Sequence, residues 1–260
     1  MSTQRIERDL LLKNYLKRLR LPCIAANYQK IARESISGKK DYIDYLCVLM
    51  EQEVLNREAN ALRNRISVAR FPVIKGLDSF DFSAVEEINQ EMVLQLANSD
   101  YIERKENIIF IGAAGVGKTH LATALGVAAC KKGKRVRFYT TAGLINELLE
   151  AKDNHSFTRL QARLVKFDLI VLDELGYIPF TAGGGELLFQ FCSERYERGS
   201  LIITTNLEFG GWTEVFGNER MTAALLDRLI HRCYIIQIKG ESYRFKESRK
   251  RKTGYGIINK

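Results

Sequence analysis

The spacing of apolar and polar positions changes once along this chain, near residue 84. Before that point it is helical. Ile6, Leu10, Tyr15, Leu16 and Leu19 recur at roughly helical intervals and predict one short helix. Pro22 suits the first turn of a second, which carries Ile24, Tyr28, Ile31 and Ser35 on one side. A third helix is predicted over residues 41–69, where Leu55, Ala59, Leu62, Ile66 and Ala69 alternate in steps of four and three and form a stripe. Phe71-Pro72 ends it, because the residue before proline avoids the helical region. Residues 71–83, FPVIKGLDSFDFS, read as an extended linker. Its Phe80-Asp81-Phe82 cluster is costly to leave in water, so it is expected to pack on the domain that follows.

Beyond residue 84, apolar β-rich runs alternate with helical segments. The runs are 108–111, 136–139, 168–172, 201–205 and 234–238. Helical segments lie at 118–131, 141–152, 156–166, 183–197 and 219–230. Continuous apolar strands separated by helices predict an α/β domain whose parallel sheet is covered on both faces. The organisation expected is a helical N-terminal domain over residues 1–70, a linker over 71–83, an α/β domain over 84–240 and a basic tail over 241–260.

Composition sharpens this picture. With 260 residues, 46% hydrophobic and 27% charged, the chain reads as soluble and globular. No apolar run approaches ~18 residues, and the N-terminus carries acids where a secretion signal would carry an apolar core, so a cytoplasmic protein is expected. Five cysteines with no C-x-x-C pair fit a reduced compartment. The net charge of +9 is unevenly distributed. Residues 1–70 hold 14 basic and 8 acidic side chains, residues 71–238 hold 18 and 21, and residues 239–260 hold 8 and 2. Basic ends around a slightly acidic centre suggest that one part does chemistry while others hold a polyanion.

The chemistry begins at Gly112-Ala113-Ala114-Gly115-Val116-Gly117-Lys118-Thr119, which fits G-x-x-x-x-G-K-[ST], follows a predicted strand and opens a predicted helix. Glycines let backbone N–H groups curl around phosphate oxygens, and the helix N-terminus adds partial positive charge. Gly112, Gly115, Val116, Gly117, Lys118, Thr119 and His120 form the expected nucleotide-binding set for ATP. Lys118 would reach the β- and γ-phosphates and Thr119 would ligate Mg²⁺. The next central strand ends in Asp173-Glu174. Asp173 would hold Mg²⁺ through water, and Glu174 would act as general base or positioner for an attacking water. This pair argues for hydrolysis against the rival reading of a small-molecule kinase, which has no need to activate water. A later strand ends in Thr204-Thr205-Asn206 at the same sheet edge. Asn206 could orient that water, although the same residues would also serve as a turn or helix cap.

In order and spacing these motifs resemble the AAA+ ATPases. Three runs narrow the resemblance: residues 115–122, GVGKTHLA; residues 172–177, LDELGY; and residues 224–232, ALLDRLIHR, followed by Gly240-Glu241-Ser242-Tyr243-Arg244. Together they resemble the IstB family, helper ATPases of insertion-sequence transposition related to DnaC helicase loaders. The resemblance covers nearly the whole chain. It implies a five-stranded parallel sheet in the order 5-1-4-3-2, without the C-terminal helical lid of other AAA+ proteins, since only 32 residues follow Arg228.

The resemblance also implies an ATP-dependent protein that binds duplex DNA with little sequence preference, assembles as a homo-oligomer with ATP sites between subunits, and engages the transposase of its element. Arg228 matches the position of the arginine finger that a neighbour inserts at the γ-phosphate, and the sequence alone does not separate it from Arg220 or Arg232. DNA-contact candidates are Lys13, Lys17, Arg63 and Arg70 on the N-terminal helices, then Lys152, Arg159, Arg163 and Lys166 between the second and third strands, and the tail Arg249-Lys250-Arg251-Lys252. A helicase loader is the alternative reading. It shares the core and would differ in the partner captured by its N-terminal domain.

Overall fold

A computed structural model describes residues 3–85, 88–177, 180 and 183–243. The chain divides into two compact units, Met1–Asn64 and Arg65–Lys260.

The first unit is built from helices α1 (Thr3–Arg18), α2 (Pro22–Ser37) and the first part of α3 (Tyr42–Ala69). They meet around Leu16, Ile24, Tyr28, Ile31 and Leu49, all buried. The polar framework is equally specific. Glu53 of α3 is 3% exposed, and its carboxylate accepts the Cys23 and Ile24 backbone N–H groups at 2.9 and 3.1 Å. These are orphan donors in the first turn of α2, so the side chain of another helix supplies the cap that Leu21 does not. Arg57 balances the charge at 3.1 Å. Replacing Glu53 by alanine removes both bonds and is expected to cost about 2–3 kcal/mol, read as a lower urea midpoint for the helical unit. The predicted stripe on α3 is buried only at its C-terminal end. Ala69 is fully buried and Leu62 and Ile66 half-buried, whereas Ala59 is exposed and Leu55 stands 57% exposed. Periodicity identifies a face of a helix, but whether anything covers that face is a tertiary matter.

After the end of α3, the second unit continues with two 3-10 turns, Leu77–Ser79 and Phe82–Ala84, where a continuous extended linker is expected. The reasons are local. In the first turn the Ser79 hydroxyl donates to the Gly76 carbonyl at 2.9 Å; in the second, Asp81 accepts the Ser83 N–H at 3.0 Å and the Ser83 hydroxyl at 2.6 Å, so a short carboxylate folds the chain back on itself. Short helices α4 (Gln90–Leu96) and α5 (Asp100–Glu103) follow, then β1 (Asn107–Gly112), α6 (Lys118–Lys131), β2 (Val136–Thr140), α7 (Thr141–Asp153), α8 (Phe157–Leu164), β3 (Leu169–Leu175), α9 (Gly184–Arg195), β4 (Ser200–Thr205), α10 (Trp212–Phe216), α11 (Glu219–Ile230) and β5 (Cys233–Ile238).

All four strand pairings are parallel, and the sheet order is β2-β3-β4-β1-β5, which is the expected 5-1-4-3-2 read from the other edge. Ile108, Ile109 and Phe110 on β1, Leu169 to Leu172 on β3 and Ile202 and Ile203 on β4 have no exposed surface, as strands covered on both faces require. At the amino edge, Asn107 accepts the Leu201 N–H at 2.9 Å and donates to the Leu229 carbonyl at 3.1 Å, joining β1, β4 and the end of α11. Trp212 is wholly buried in the core beside Phe209 and Phe216. Among the described residues, no helix is long and apolar enough to cross a membrane.

Candidate nucleotide site

The carboxyl ends of β1, β3 and β4 converge on one edge of the sheet, where ligands of open parallel sheets bind. The loop after β1 turns at Gly115 (φ +82°) and Gly117 (φ +105°), both in the region that favours glycine. Close approach excludes side chains there as well. A Cβ on Gly117 would lie 2.7 Å from the Phe80 ring, and one on Gly115 would collide with the Ser242 hydroxyl. The loop is therefore flanked by the segment before β1 on one side and by the residues after β5 on the other. Tyr243 strengthens the second flank, donating its N–H to the Gly115 carbonyl at 3.1 Å. Val116 anchors the loop in the core at 3% exposure.

His120 holds the first flank. Its Nε2 lies 3.1 Å from both the Gly76 carbonyl and the Ser79 hydroxyl, and its ring meets Phe80 edge-on. The carbonyl can only accept, so the imidazole is protonated at Nε2. Burial lowers the His120 pKa, which favours the neutral ring. The Phe80-Asp81-Phe82 cluster thus packs against the phosphate loop, as its apolar content implied.

Lys118 curls over the loop, donating to the Gly112 and Ala113 carbonyls at 2.7 Å each. Thr119 donates to Asp173, with oxygen separations of 2.9 and 3.1 Å to the two carboxylate oxygens. The loop after β1 and the acid at the end of β3 are thereby brought into direct contact. Asp173 is 5% exposed and is gripped a second time by the Thr204 hydroxyl at 2.5 Å. Its own carbonyl accepts the Thr141 hydroxyl at 3.0 Å. Glu174 points the other way and is exposed. Its backbone is left-handed, φ +61°, a conformation that costs a side-chain-bearing residue about 1–2 kcal/mol. The arrangement can cradle a polyphosphate, present a hydroxyl and a carboxylate oxygen to a hard cation, and offer one exposed carboxylate to a water.

The remaining candidates are placed as follows. Asn206 is exposed one residue past β4, at the same edge as Asp173 and Glu174. Thr205 accepts the Leu207 N–H at 3.1 Å and so forms the turn. Arg228 is half-buried near the end of α11, donating to the Ala224 carbonyl at 3.0 Å and lying 5.3 Å from the Phe189 ring centre. It lines a pocket with Asn107 and Leu201, at the amino ends of β1 and β4, and thus lies at the edge opposite the phosphate loop. Arg220 and Arg232 are exposed. Lys152, Arg159, Arg163 and Lys166 are exposed around α8, with Arg163 paired to Glu147. Lys17, Arg63 and Arg70 are exposed, and Lys13 pairs with Asp9 at 2.8 Å. Arg244 and the tail Arg249-Lys250-Arg251-Lys252 lie outside the described residues. The sequence places Thr204 only in the polar strand end beside Asn206 and gives it no role of its own; its signal is a hydroxyl directly after the apolar run Leu201-Ile202-Ile203, one strand away from the acidic pair.

Comparison with known proteins gives a consistent picture. The family model for IstB-like ATP binding proteins matches residues 14–251. The ATP-binding protein assigned to insertion sequence IS21 of Pseudomonas aeruginosa is 38% identical over 239 residues, 92% of this chain and 90% of that one. Its counterpart from IS5376 of Geobacillus stearothermophilus is 34% identical over 238 residues, 92% and 95% of the two chains. Among solved structures, AMPPCP-bound DnaA from Aquifex aeolicus superposes with a TM-score of 0.54 at 19% identity, covering 74% of this chain and 58% of that one. DnaI superposes with a TM-score of 0.54 at 16% identity, covering 66% and 93%. The two structural likenesses show a shared fold.

Proposed function

The chain belongs to the IstB-like ATP-binding proteins, ATPases of the AAA+ fold associated with insertion sequences, and from that premise we propose that it is an ATP-regulated, largely sequence-non-specific duplex DNA-binding protein. It assembles on target DNA and recruits or activates the transposase of its element, working in the cytoplasm. The observation that carries the ATP-driven part is the contact between Thr119 and Asp173, which makes one site of the phosphate loop and the acidic end of β3.

In this reading the loop N–H groups from Gly112 to Thr119 bind the phosphates, with Gly115, Val116 and Gly117 shaping the curve and His120 holding the flank on which Phe80 rests. Lys118 exchanges its bonds to the Gly112 and Ala113 carbonyls for phosphate oxygens. Thr119 and Asp173 suit Mg²⁺, which takes few protein ligands, all oxygen, and completes its shell with water and substrate phosphates. When bound, Mg²⁺ neutralises charge on the β- and γ-phosphate oxygens. Glu174, exposed at the rim, accepts a proton from the attacking water, and Asn206 steadies that water from the neighbouring strand end.

Arg228 completes a neighbour's site. Strands of six to seven residues at about 3.3 Å per residue separate it from its own phosphate loop, so its trans role requires subunits in contact. Leaving Ala224 and the Phe189 ring for a γ-phosphate exchanges a neutral acceptor for a charged one.

DNA is held by its backbone, through the exposed cations around α8, the N-terminal helices and the basic tail. Lysine and arginine without a base-reading element grip phosphates and release counterions. If Lys152, Arg159 and Lys166 each engage one phosphate, duplex affinity should fall with salt along a log–log slope of about −3 or steeper. Fluorescence anisotropy across a salt series checks this. A flat response would contradict backbone gripping.

A further inference from the structure

The pairing of β3 with β4 is irregular at one place. Leu172 faces Ile203 and Leu175 faces Thr205, so two residues, Asp173 and Glu174, stand opposite the single residue Thr204. Such a bulge costs one ladder hydrogen bond and bends the strand, re-aiming a side chain. The lost bond would leave the Glu174 N–H without an acceptor inside the sheet. The Thr204 hydroxyl takes that place, accepting the Glu174 N–H at 2.9 Å. The same oxygen donates its proton to Asp173 Oδ1 at 2.5 Å. An ionised carboxylate only accepts and a backbone N–H only donates, so both capacities of the hydroxyl are used and its direction is fixed. Thr204 is 1% exposed, beyond the reach of solvent.

We infer that Thr204 is a positioning residue for hydrolysis: one buried hydroxyl locks the bulge that turns the Glu174 carboxylate outward while Asp173 stays turned inward toward Thr119. Two adjacent acids on one strand thereby acquire different tasks. The inference rests on the assignment of Glu174 as the group that activates water.

The test compares Thr204→Val, Thr204→Ser, Glu174→Gln and the double variant Thr204→Val with Glu174→Gln in the full chain. Valine keeps the shape and loses the hydroxyl, whereas serine keeps the hydroxyl. Thr204→Val should lower kcat for ATP at least about tenfold with KM and nucleotide affinity little changed, and Thr204→Ser should restore kcat. The double variant should be no slower than Glu174→Gln alone, because Thr204 acts through Glu174. Nucleotide affinity, measured directly, reports that each variant retains a folded site. Should Thr204→Val not fold, the Thr204→Ala variant, alone and with Glu174→Gln, takes its place under the same criteria. Wild-type turnover in Thr204→Val, failure of serine to rescue, or a further loss in the double variant would each overturn the role of Thr204. Wild-type turnover in Glu174→Gln would overturn the assignment of Glu174 itself, and this inference with it.

Discussion

Replacing Glu174 by glutamine is expected to lower ATP turnover by about a hundredfold or more while leaving ATP affinity in place. The amide has the carboxylate's size but is a far weaker base, and Glu174 is exposed, so its side chain supports no packing. The backbone feature that aims it, the N–H bond to Thr204, survives the substitution. Steady-state hydrolysis with a parallel nucleotide-binding titration checks this. If hydrolysis is what releases the ATP-bound protein from DNA, the variant should also remain on duplex DNA with ATP bound. A variant that turned over normally would move the catalytic base elsewhere on the sheet edge.

Lys118→Ala acts at the preceding step. The ammonium group supplies charge-assisted hydrogen bonds to phosphate oxygens, so its loss should weaken ATP binding by between about tenfold and a hundredfold. The fold should persist, since Lys118 is half-buried at a helix start and bonds the carbonyls of its own loop. Thermal melting separates the two effects. ATP at a hundred times its dissociation constant stabilises a binding-competent protein by about 2.7 kcal/mol. The wild-type melting temperature should therefore rise with ATP and that of Lys118→Ala should rise by about half as much or less at the same ATP concentration, while the two melt alike without nucleotide. Glu174→Gln should respond to ATP as the wild type does, which places the two residues at successive steps.

Much of this architecture is legible in the sequence because buried parallel strands leave a coarse signal. The stretches 108–111, 169–172 and 201–203 are apolar throughout, and the helices opening at Lys118 and Glu219 start at recognisable chain features. Strand order is not local information, and it became legible only through the resemblance of whole motifs. What escaped has physical reasons. Helices α4, α5 and α10 span seven, four and five residues, too few for a period to declare itself. The turns around Asp81 depend on one side chain bonding its own backbone. Glu53 caps a helix thirty residues away, and such a cap has no sequence spacing. At the site, Lys118, Thr119 and Asp173 are conspicuous by motif, whereas Thr204 acquires meaning only from the bulge opposite it.

The central claim is that nucleotide at the phosphate loop controls DNA binding. It is tested most directly by the affinity of the wild-type chain for duplex DNA at fixed salt, with and without a slowly hydrolysed ATP analogue. The account predicts about tenfold or greater tightening with the analogue, with Lys118→Ala needing about tenfold to a hundredfold more analogue for the same effect. Equal affinity with and without nucleotide would contradict it.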